Sequence, residues 1–187
     1  MAFIETPAES ELYQADLEQQ GYVANMTRVF AHRPELWAAW RELVGALRRS
    51  MDWRRYELVT VAAAQELRSS YCMLAHGKVL VEEFYDADQV RAIVEGHGPL
   101  DEVDRAVMEL GAKVARDARA VTADDIARLR ALGLSDGEIL DVVATASARC
   151  FFSKALDALG AEPDAAYRAL DPAMRDELVV GRPIEAG

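Results

Sequence analysis

Cysteine and histidine are scarce in this sequence of 187 residues, which has two of the former, Cys72 and Cys150, and three of the latter. Two cysteines are too few for a disulfide scaffold, and so low a count is typical of a reducing compartment. Residues 1–7 lack the basic start and apolar stretch of a signal peptide, and no apolar run approaches the ~20 residues of a membrane-spanning helix. We therefore expect a cytoplasmic protein without a membrane partner.

Basic residues are also in short supply. The 21 Lys and Arg residues stand against 32 Asp and Glu residues, which gives a formal net charge of −11. Because an acidic chain repels phosphate, we expect neither nucleic acid nor an anionic membrane surface as a partner. Hydrophobic residues make up 51% of the sequence and charged residues 28%, a balance typical of globular proteins. The length fits one domain with a hydrophobic core, which we predict over residues 1–187.

Strand-forming patterns are absent as well. Nowhere do β-branched and polar residues alternate over a useful length, and the apolar run at 178–180 is too short to count. Ala, Leu, Glu and Arg are abundant instead, so we predict an all-α fold of eight to ten helices. The predicted helices cover about 10–20, 25–31, 34–49, 52–67, 71–83, 86–95, 101–118, 122–132 and 135–160, the last starting with the capping box Ser135-x-x-Glu138. The segment 161–187 is expected to be peripheral, with a loose end after Gly181.

The sequence has no phosphate-binding loop, no dinucleotide-binding fingerprint, no zinc-protease motif and no C-x-x-C pair. We therefore expect no cofactor and no metal. One segment does carry candidate chemistry, because Cys72 falls in the first turn of a predicted helix and His76 follows four residues later. A helix start favours a thiolate, and an imidazole one turn along can take its proton. The alternatives for Cys72 are a buried structural thiol and, less favoured, a metal site with His76 and Glu57.

Two segments resemble the core motif of alkylhydroperoxidase D, in the peroxidase-related branch of the carboxymuconolactone decarboxylase-like superfamily: Arg55-Tyr56-Glu57-Leu58-Val59 and Ser69-x-Tyr71-Cys72-x-x-Ala75-His76. Glu57, Cys72 and His76 match the Glu, the second Cys and the His of that motif, and the similarity covers most of residues 20–160. The resemblance implies an AhpD-like all-α fold and a homo-oligomer, commonly a trimer or hexamer. It also implies a relay in which Glu57 helps His76 to take the Cys72 proton.

The sequence departs from the family motif at two positions. Ser69 stands where the family has its first Cys, and Tyr71 stands where alkylhydroperoxidase D has a His; Tyr71 could cover the pocket or simply pack. A serine hydroxyl cannot form a disulfide, so an oxidised Cys72 needs another thiol. That thiol could come from Cys150, a partner chain or a small molecule.

Several other residues have structural alternatives. From helical spacing alone, Glu57 lies nearer the level of 78–81 than of Cys72. Its alternative role is that of an exposed carboxylate paired with Arg54 or another neighbour. Cys150 lies on an apolar helix face, which favours a buried structural thiol over a resolving one. His32 and His97 are expected in loops or caps. The larger aromatic residues are expected in the core or at a subunit interface rather than in a ligand cage: Trp37, Trp40, Trp53, Phe151 and Phe152.

These features favour a thiol-dependent, peroxidase-type oxidoreductase with Cys72 as nucleophile, His76 as base and Glu57 as relay. Its partners would be a small-molecule peroxide and a thiol reductant. One alternative is a carboxymuconolactone decarboxylase-like lyase on a small lactone acid, for which four arginines could converge: Arg54, Arg55, Arg68 and Arg149. The other alternative is a non-catalytic oligomeric redox sensor, in which Cys72 is oxidised once.

Overall fold

The computed structural model describes residues 2–96 and 98–186, and that part of the chain contains ten α-helices and no strand. His97, expected in a loop, lies outside the described residues. The all-α prediction is confirmed. The helices are α1 (Glu11–Gln20), α2 (Asn25–Phe30), α3 (Pro34–Ser50), α4 (Trp53–Glu66), α5 (Ser70–Glu83), α6 (Ala87–Val94), α7 (Glu102–Asp117), α8 (Ala123–Ala131), α9 (Asp136–Ala158) and α10 (Pro172–Leu178). None of them, within these residues, is long and apolar enough to cross a lipid bilayer.

Polar side chains start the helices where the sequence predicts. Asp52 accepts a hydrogen bond from the Arg55 backbone N–H at the start of α4. At the start of α9, the backbone N–H of Ser135 donates to Glu138 while the Glu138 backbone N–H donates to the Ser135 hydroxyl, which completes the predicted capping box. Each such cap stabilises its helix by ~1 kcal/mol. The start of α5 differs, because the side chain of Ser69 makes no capping bond there.

Helix α4 lies at the centre of the fold. Nine of its fourteen residues are buried, and it packs against α5, α7 and α9. A helix that is apolar on most of its circumference belongs inside a protein, where neighbours can cover every face. A small residue allows α4 and α7 to approach closely, because Gly111 of α7 lies directly against Val59 of α4. The apolar side chains form two clusters, one of which includes Cys72, Trp40 and Phe152.

The C-terminal segment is part of the core, and the prediction that it is peripheral is wrong. Its end is not loose either, because the backbone N–H of Glu185 donates to the Pro163 carbonyl at 3.0 Å. Met174 and Leu178 of α10 are fully buried, and α10 packs on α5 and α6. Leu178 fits against Gly77 of α5, where a Cβ atom would come within 2.6 Å of it. Beyond α10, the backbone N–H of Gly181 donates to the Ser70 hydroxyl at 2.7 Å. A seven-residue helix shows too little periodicity for the sequence to reveal this docking.

Candidate active site

Cys72 lies in the first turn of α5 and lines a cavity of about 480 Å³. The residue is only 2% exposed, and its sulfur atom Sγ accepts a hydrogen bond of 3.1 Å from the hydroxyl of Ser153 on α9. Ser153 is fully buried. A hydroxyl that donates to sulfur stabilises a thiolate more than a thiol, because hydrogen bonds to charged acceptors are the stronger ones. The helix start and the Ser153 hydroxyl therefore both direct positive partial charge toward the sulfur.

Glu57 of α4 lies beside His76 of α5. Its Oε2 atom is 2.5 Å from Nδ1 of His76, and its Oε1 atom accepts a 3.0 Å hydrogen bond from the Trp53 indole. The alternative of an exposed carboxylate paired with Arg54 is wrong, because Glu57 is 2% exposed and Arg54 pairs with Asp104 at 2.6 Å. Glu57 thus contacts α5 at His76, four residues beyond Cys72.

The Glu57 carboxyl group is held in its ionised form. Burial alone would raise its pKa, but attraction to the His76 ring outweighs that effect, together with the hydrogen bonds from His76 and Trp53 and the nearby Arg48 charge. The pKa of Glu57 therefore lies below its usual value. An ionised carboxylate at Nδ1 is an acceptor, so it orients the ring through that nitrogen.

Arg149 of α9 completes the contacts of the His76 ring. Its Nη1 atom lies 3.0 Å from Nε2 of His76. A guanidinium group can only donate, so Nε2 is the acceptor and carries no proton in this arrangement. The ring proton therefore sits on Nδ1 and is donated to Glu57. The Nε2 atom of His76 is thus directed at Arg149.

A direct hydrogen bond between Cys72 and His76 is not formed, which corrects the expected thiol–imidazole pair. Both side chains line the same cavity, but Glu57 and Arg149 occupy the two ring nitrogens and Ser153 bonds the sulfur. The spacing of four within α5 shows only which face the two residues share. Arg149 and Ser153 are themselves four residues apart on α9, a weak signal that the sequence could not connect to Cys72.

Aromatic residues form one wall of the cavity. Trp37, Trp40 and Phe152 are buried members of the core, as predicted, and they also line the cavity beside Cys72. The guanidinium carbon of Arg149 lies 4.7 Å from the ring centroid of Trp40. The other two large aromatics of the prediction, Trp53 and Phe151, are 38% and 47% exposed.

Tyr71 also lines the cavity and is anchored on its outer side. Its hydroxyl donates to Asp164 at 2.5 Å and accepts from the backbone N–H of Met26 at 3.2 Å. Burial first, and the Asp164 charge second, raise the pKa of Tyr71 well above its usual value. Tyr71 therefore stays protonated and is held as a rigid part of the cavity wall.

Ser69 and Cys150 are the two residues considered for the step that resolves an oxidised Cys72. Neither is hydrogen-bonded to the Cys72 sulfur, which accepts from Ser153. Ser69, at the motif position of the first Cys, is buried just before α5. Cys150 is partly exposed rather than fully buried, which corrects that expectation, and both cysteines are free thiols. Cys150 follows Arg149 by one residue and so is rotated from it by about 100° around α9. Its resolving role stays a prediction.

The four arginines suggested for a lactone-acid substrate do not converge. Arg54 and Arg55 both pair with Asp104, and Arg68 donates to the Val180 carbonyl. Of these four residues, Arg149 is the one that lines the cavity. Within residues 2–96 and 98–186, no group of three or more His, Cys, Asp or Glu side chains is arranged to hold a metal ion.

The same helical arrangement occurs in solved structures. The AhpD core of an uncharacterized peroxidase-related protein from Ralstonia eutropha JMP134 has a TM-score of 0.78 and 20% identity, with 89% of this chain and 94% of that chain covered. An uncharacterized peroxidase-related protein from Silicibacter sp. TM1040 has a TM-score of 0.80 and 20% identity, with 90% and 94% covered. A cysteine-to-alanine variant of the debrominase Bmp8, in complex with 2,3,4-tribromopyrrole, has a TM-score of 0.74 and 14% identity, with 92% and 96% covered.

No family model and no curated protein matches the sequence. At identities of 14–20%, the likeness to these structures establishes the fold. The chain has the AhpD-like all-α fold that the motif resemblance implies.

Proposed function

We propose that this chain, with its AhpD-like fold, is a thiol-dependent oxidoreductase of the peroxidase type in which Cys72 is the nucleophile. The observation that carries the proposal is the setting of the Cys72 sulfur. It lies at a helix start, accepts a hydrogen bond from Ser153, and shares a cavity with the hydrogen-bonded Glu57 and His76 side chains. These features are the ones that activate a cysteine near neutral pH. Two of the similar structures are peroxidase-related proteins, which supports the same chemistry.

In the proposed first step, the Cys72 thiolate attacks the terminal oxygen of a hydroperoxide. A sulfur–oxygen bond forms while the oxygen–oxygen bond breaks, so the sulfur is oxidised to a sulfenic acid and an alkoxide leaves. The alkoxide becomes the alcohol when it takes from His76 the proton that came from the Cys72 thiol. Ser153 stabilises the thiolate before attack. His76 accepts the thiol proton at Nε2 when Arg149 bonds elsewhere, and Glu57 holds the ring in the tautomer that leaves this nitrogen basic.

In the proposed second step, an external thiol reduces the sulfenic acid. The thiol condenses with it to give a mixed disulfide and water, and a second thiol then releases the Cys72 thiol and a small disulfide. We assign this step to an external reductant because Ser69 offers no sulfur and Cys72 and Cys150 are free thiols that are not bonded to each other.

The test compares Cys72→Ser with Cys150→Ser in the turnover of cumene hydroperoxide with dithiothreitol. We expect Cys72→Ser to lower the rate by more than about 100-fold, because the nucleophile is lost, and Cys150→Ser to leave it within about twofold. Mass spectrometry after one equivalent of peroxide should find the added oxygen on Cys72. Unchanged turnover in Cys72→Ser would overturn the proposal, and a single oxidation that no thiol reverses would indicate a sensor instead.

A second candidate function is thiol-dependent removal of a halogen from a small aromatic molecule. The aromatic wall beside Cys72 favours it, and so does the shared fold of a debrominase crystallised with 2,3,4-tribromopyrrole. The reaction would replace the carbon–halogen bond by a carbon–hydrogen bond, with two thiols supplying the two electrons and leaving as a disulfide. Release of bromide from 2,3,4-tribromopyrrole in the presence of dithiothreitol, lost in Cys72→Ser, is the measurement that separates it from peroxide reduction.

A further inference from the structure

Arg149 is a buried cation that has no anionic partner among the residues that the structure describes. The residue is 3% exposed, and no carboxylate in residues 2–96 or 98–186 lies within 4.0 Å of its guanidinium nitrogens. Its Nε atom has no hydrogen-bond partner among these residues. Its contacts are the Nε2 atom of His76 and the faces of Trp40 and Phe152. A buried charge normally carries a paired counter-charge, because its transfer from water is costly.

The cavity beside Arg149 is positively charged, although the chain as a whole carries a net charge of −11. Three arginines line it, namely the buried Arg149 and the exposed Arg41 and Arg48. Among the described residues, the one carboxylate that lines it is that of Glu57, which is already bonded to His76. Local charge opposite to that of the whole protein attracts an anionic ligand and focuses it on the cavity. The aromatic wall suits an apolar body attached to that anion.

We propose that the cavity binds a small apolar molecule that carries a carboxylate, and that Arg149 pairs with this carboxylate. This inference rests on the proposed function. It identifies the substrate as a hydroperoxide whose carbon skeleton carries a carboxylic acid group. The guanidinium fork matches a carboxylate in two parallel hydrogen bonds, and Nε, which lacks a partner, supplies one of the donors. The apolar body would lie against Trp40 and Phe152 with its reactive end at Cys72.

Binding of the carboxylate also prepares His76. In the structure, Nη1 of Arg149 donates to Nε2 of His76. A carboxylate is a stronger acceptor than a neutral imidazole, so the bound ligand draws the guanidinium toward itself. Nε2 then becomes free to receive the proton of Cys72. Arg149 is thereby a positioning and specificity residue that couples ligand binding to activation of the thiol.

The test is isothermal titration calorimetry of the full, reduced chain with benzoate and with its neutral analogue benzamide. We expect benzoate to bind at least tenfold more tightly than benzamide. In Arg149→Met this preference should disappear, and in Arg149→Lys it should be reduced but not lost. The matched control is Arg105→Gln, which removes an exposed arginine outside the cavity lining and should keep the preference. Equal binding of benzoate and benzamide by the unaltered chain, or an unchanged preference in Arg149→Met, would overturn the inference.

A second measurement does not depend on how well the Arg149 variants fold. In the unaltered chain, saturating benzoate should change the rate at which iodoacetamide alkylates Cys72 at least threefold, while benzamide at the same concentration should not. A rate that responds equally to both compounds contradicts the inference. Neither measurement requires turnover, so a chain that binds benzoate without reducing peroxides refutes the proposed function alone. A chain that reduces cumene hydroperoxide but shows no benzoate preference refutes the carboxylate site alone.

Discussion

At the scale of single residues, the candidate site is a short chain of hydrogen bonds around an imidazole. Glu57 and Arg149 bond the two nitrogens of His76, and Ser153 bonds the sulfur of Cys72. In the proposed mechanism, the carboxylate sets the tautomer of the ring, the guanidinium covers Nε2, and the hydroxyl supports the thiolate. Single substitutions can remove each of these hydrogen bonds separately, so each contribution can be tested by itself.

Ser153→Ala should slow alkylation of Cys72 by iodoacetamide about tenfold at pH 7. Loss of a hydrogen bond to a charged acceptor costs ~1.5 kcal/mol or more, and ~1.4 kcal/mol corresponds to a factor of ten. The matched control is Ser69→Ala, which removes another buried hydroxyl, three residues before Cys72 in the sequence. It should change the rate of alkylation of Cys72 by less than about twofold. Equal rates in Ser153→Ala and the unaltered chain would show that the contact with Cys72 has no influence on the thiolate.

Glu57→Gln should lower the free energy of unfolding by about 1–3 kcal/mol at pH 7, because a charge-assisted hydrogen bond is lost inside the protein. The pKa of Glu57 is lowered in the folded state, so its stabilising effect is complete above the usual value of 4.5 and is lost as the pH falls through the lowered value. Urea unfolding should therefore show that the free energies of unfolding of Glu57→Gln and of the unaltered chain differ at pH 7 and converge toward pH 3. A stability difference that is constant over this range contradicts an ionised Glu57.

At the scale of elements, the site depends on how three helices and the C-terminal segment meet. Helix α5 supplies Cys72 and His76, while α4 and α9 supply their partners. The turn before α5 contains Arg68 with a φ of +54°, a conformation unfavourable for a non-glycine residue. The C-terminal segment holds this turn, since Arg68 donates to the Val180 carbonyl and Gly181 donates to Ser70. The segment therefore helps to position the helix start that favours the thiolate.

Leu178→Ala should destabilise the protein by about 2–4 kcal/mol, because it opens a cavity against Gly77 in a fully buried contact. Amide hydrogen exchange in the first turn of α5 should also become faster, as the C-terminal segment loosens. Leu140→Ala is the matched control, since Leu140 is 65% exposed and its truncation should cost less than about 0.5 kcal/mol. Similar unfolding midpoints for the two variants would show that the docking of α10 contributes little.

At the scale of the whole molecule, net charge and exposed apolar surface have opposite effects on self-association. The net charge of −11 opposes association, yet several large apolar side chains remain exposed, among them Leu36 and Leu43 on α3 and Phe151 on α9. Phe151 lies against Trp40 of α3, so its exposed surface is continuous with the aromatic wall of the cavity. Exposed apolar groups of this kind are common in subunit interfaces.

The homo-oligomer implied by the family resemblance stays a prediction, with a trimer or hexamer as the expected assembly. Size-exclusion chromatography with light scattering should give a mass three or six times the 20.6 kDa of one chain. Phe151→Glu should shift this mass toward the monomer, because a buried charge at an interface is costly. Glu35→Gln, on α3 but outside the exposed apolar set, is the control that should leave the assembly intact. A monomeric mass for the unaltered chain would refute the prediction.

The positions of the helices and of Cys72 could be predicted because they depend on local interactions. Capping residues, glycine stops and apolar periodicity act over four residues or fewer, and so does the shared helix face of Cys72 and His76. The partners of the His76 ring could not be predicted in the same way. Spacing places Glu57 nearer residues 78–81 or at the surface, and it offers Arg149 only as one of four arginines for an acid substrate. The apolar periodicity of a helix does not specify how that helix is rotated against its neighbour, so these contacts could not be predicted.

By itself, the sequence therefore determined the all-α class, the approximate boundaries of α1 to α9 and the location of one thiol at a helix start. Tertiary structure alone decided that Arg149 covers His76, that Ser153 bonds Cys72, and that Gly181 closes on Ser70, contacts between residues 73, 81 and 111 positions apart. The physical reason is the range of the interactions involved. Local hydrogen bonds form within one segment of chain, whereas a site between helices exists only after burial of apolar surface has set their mutual positions.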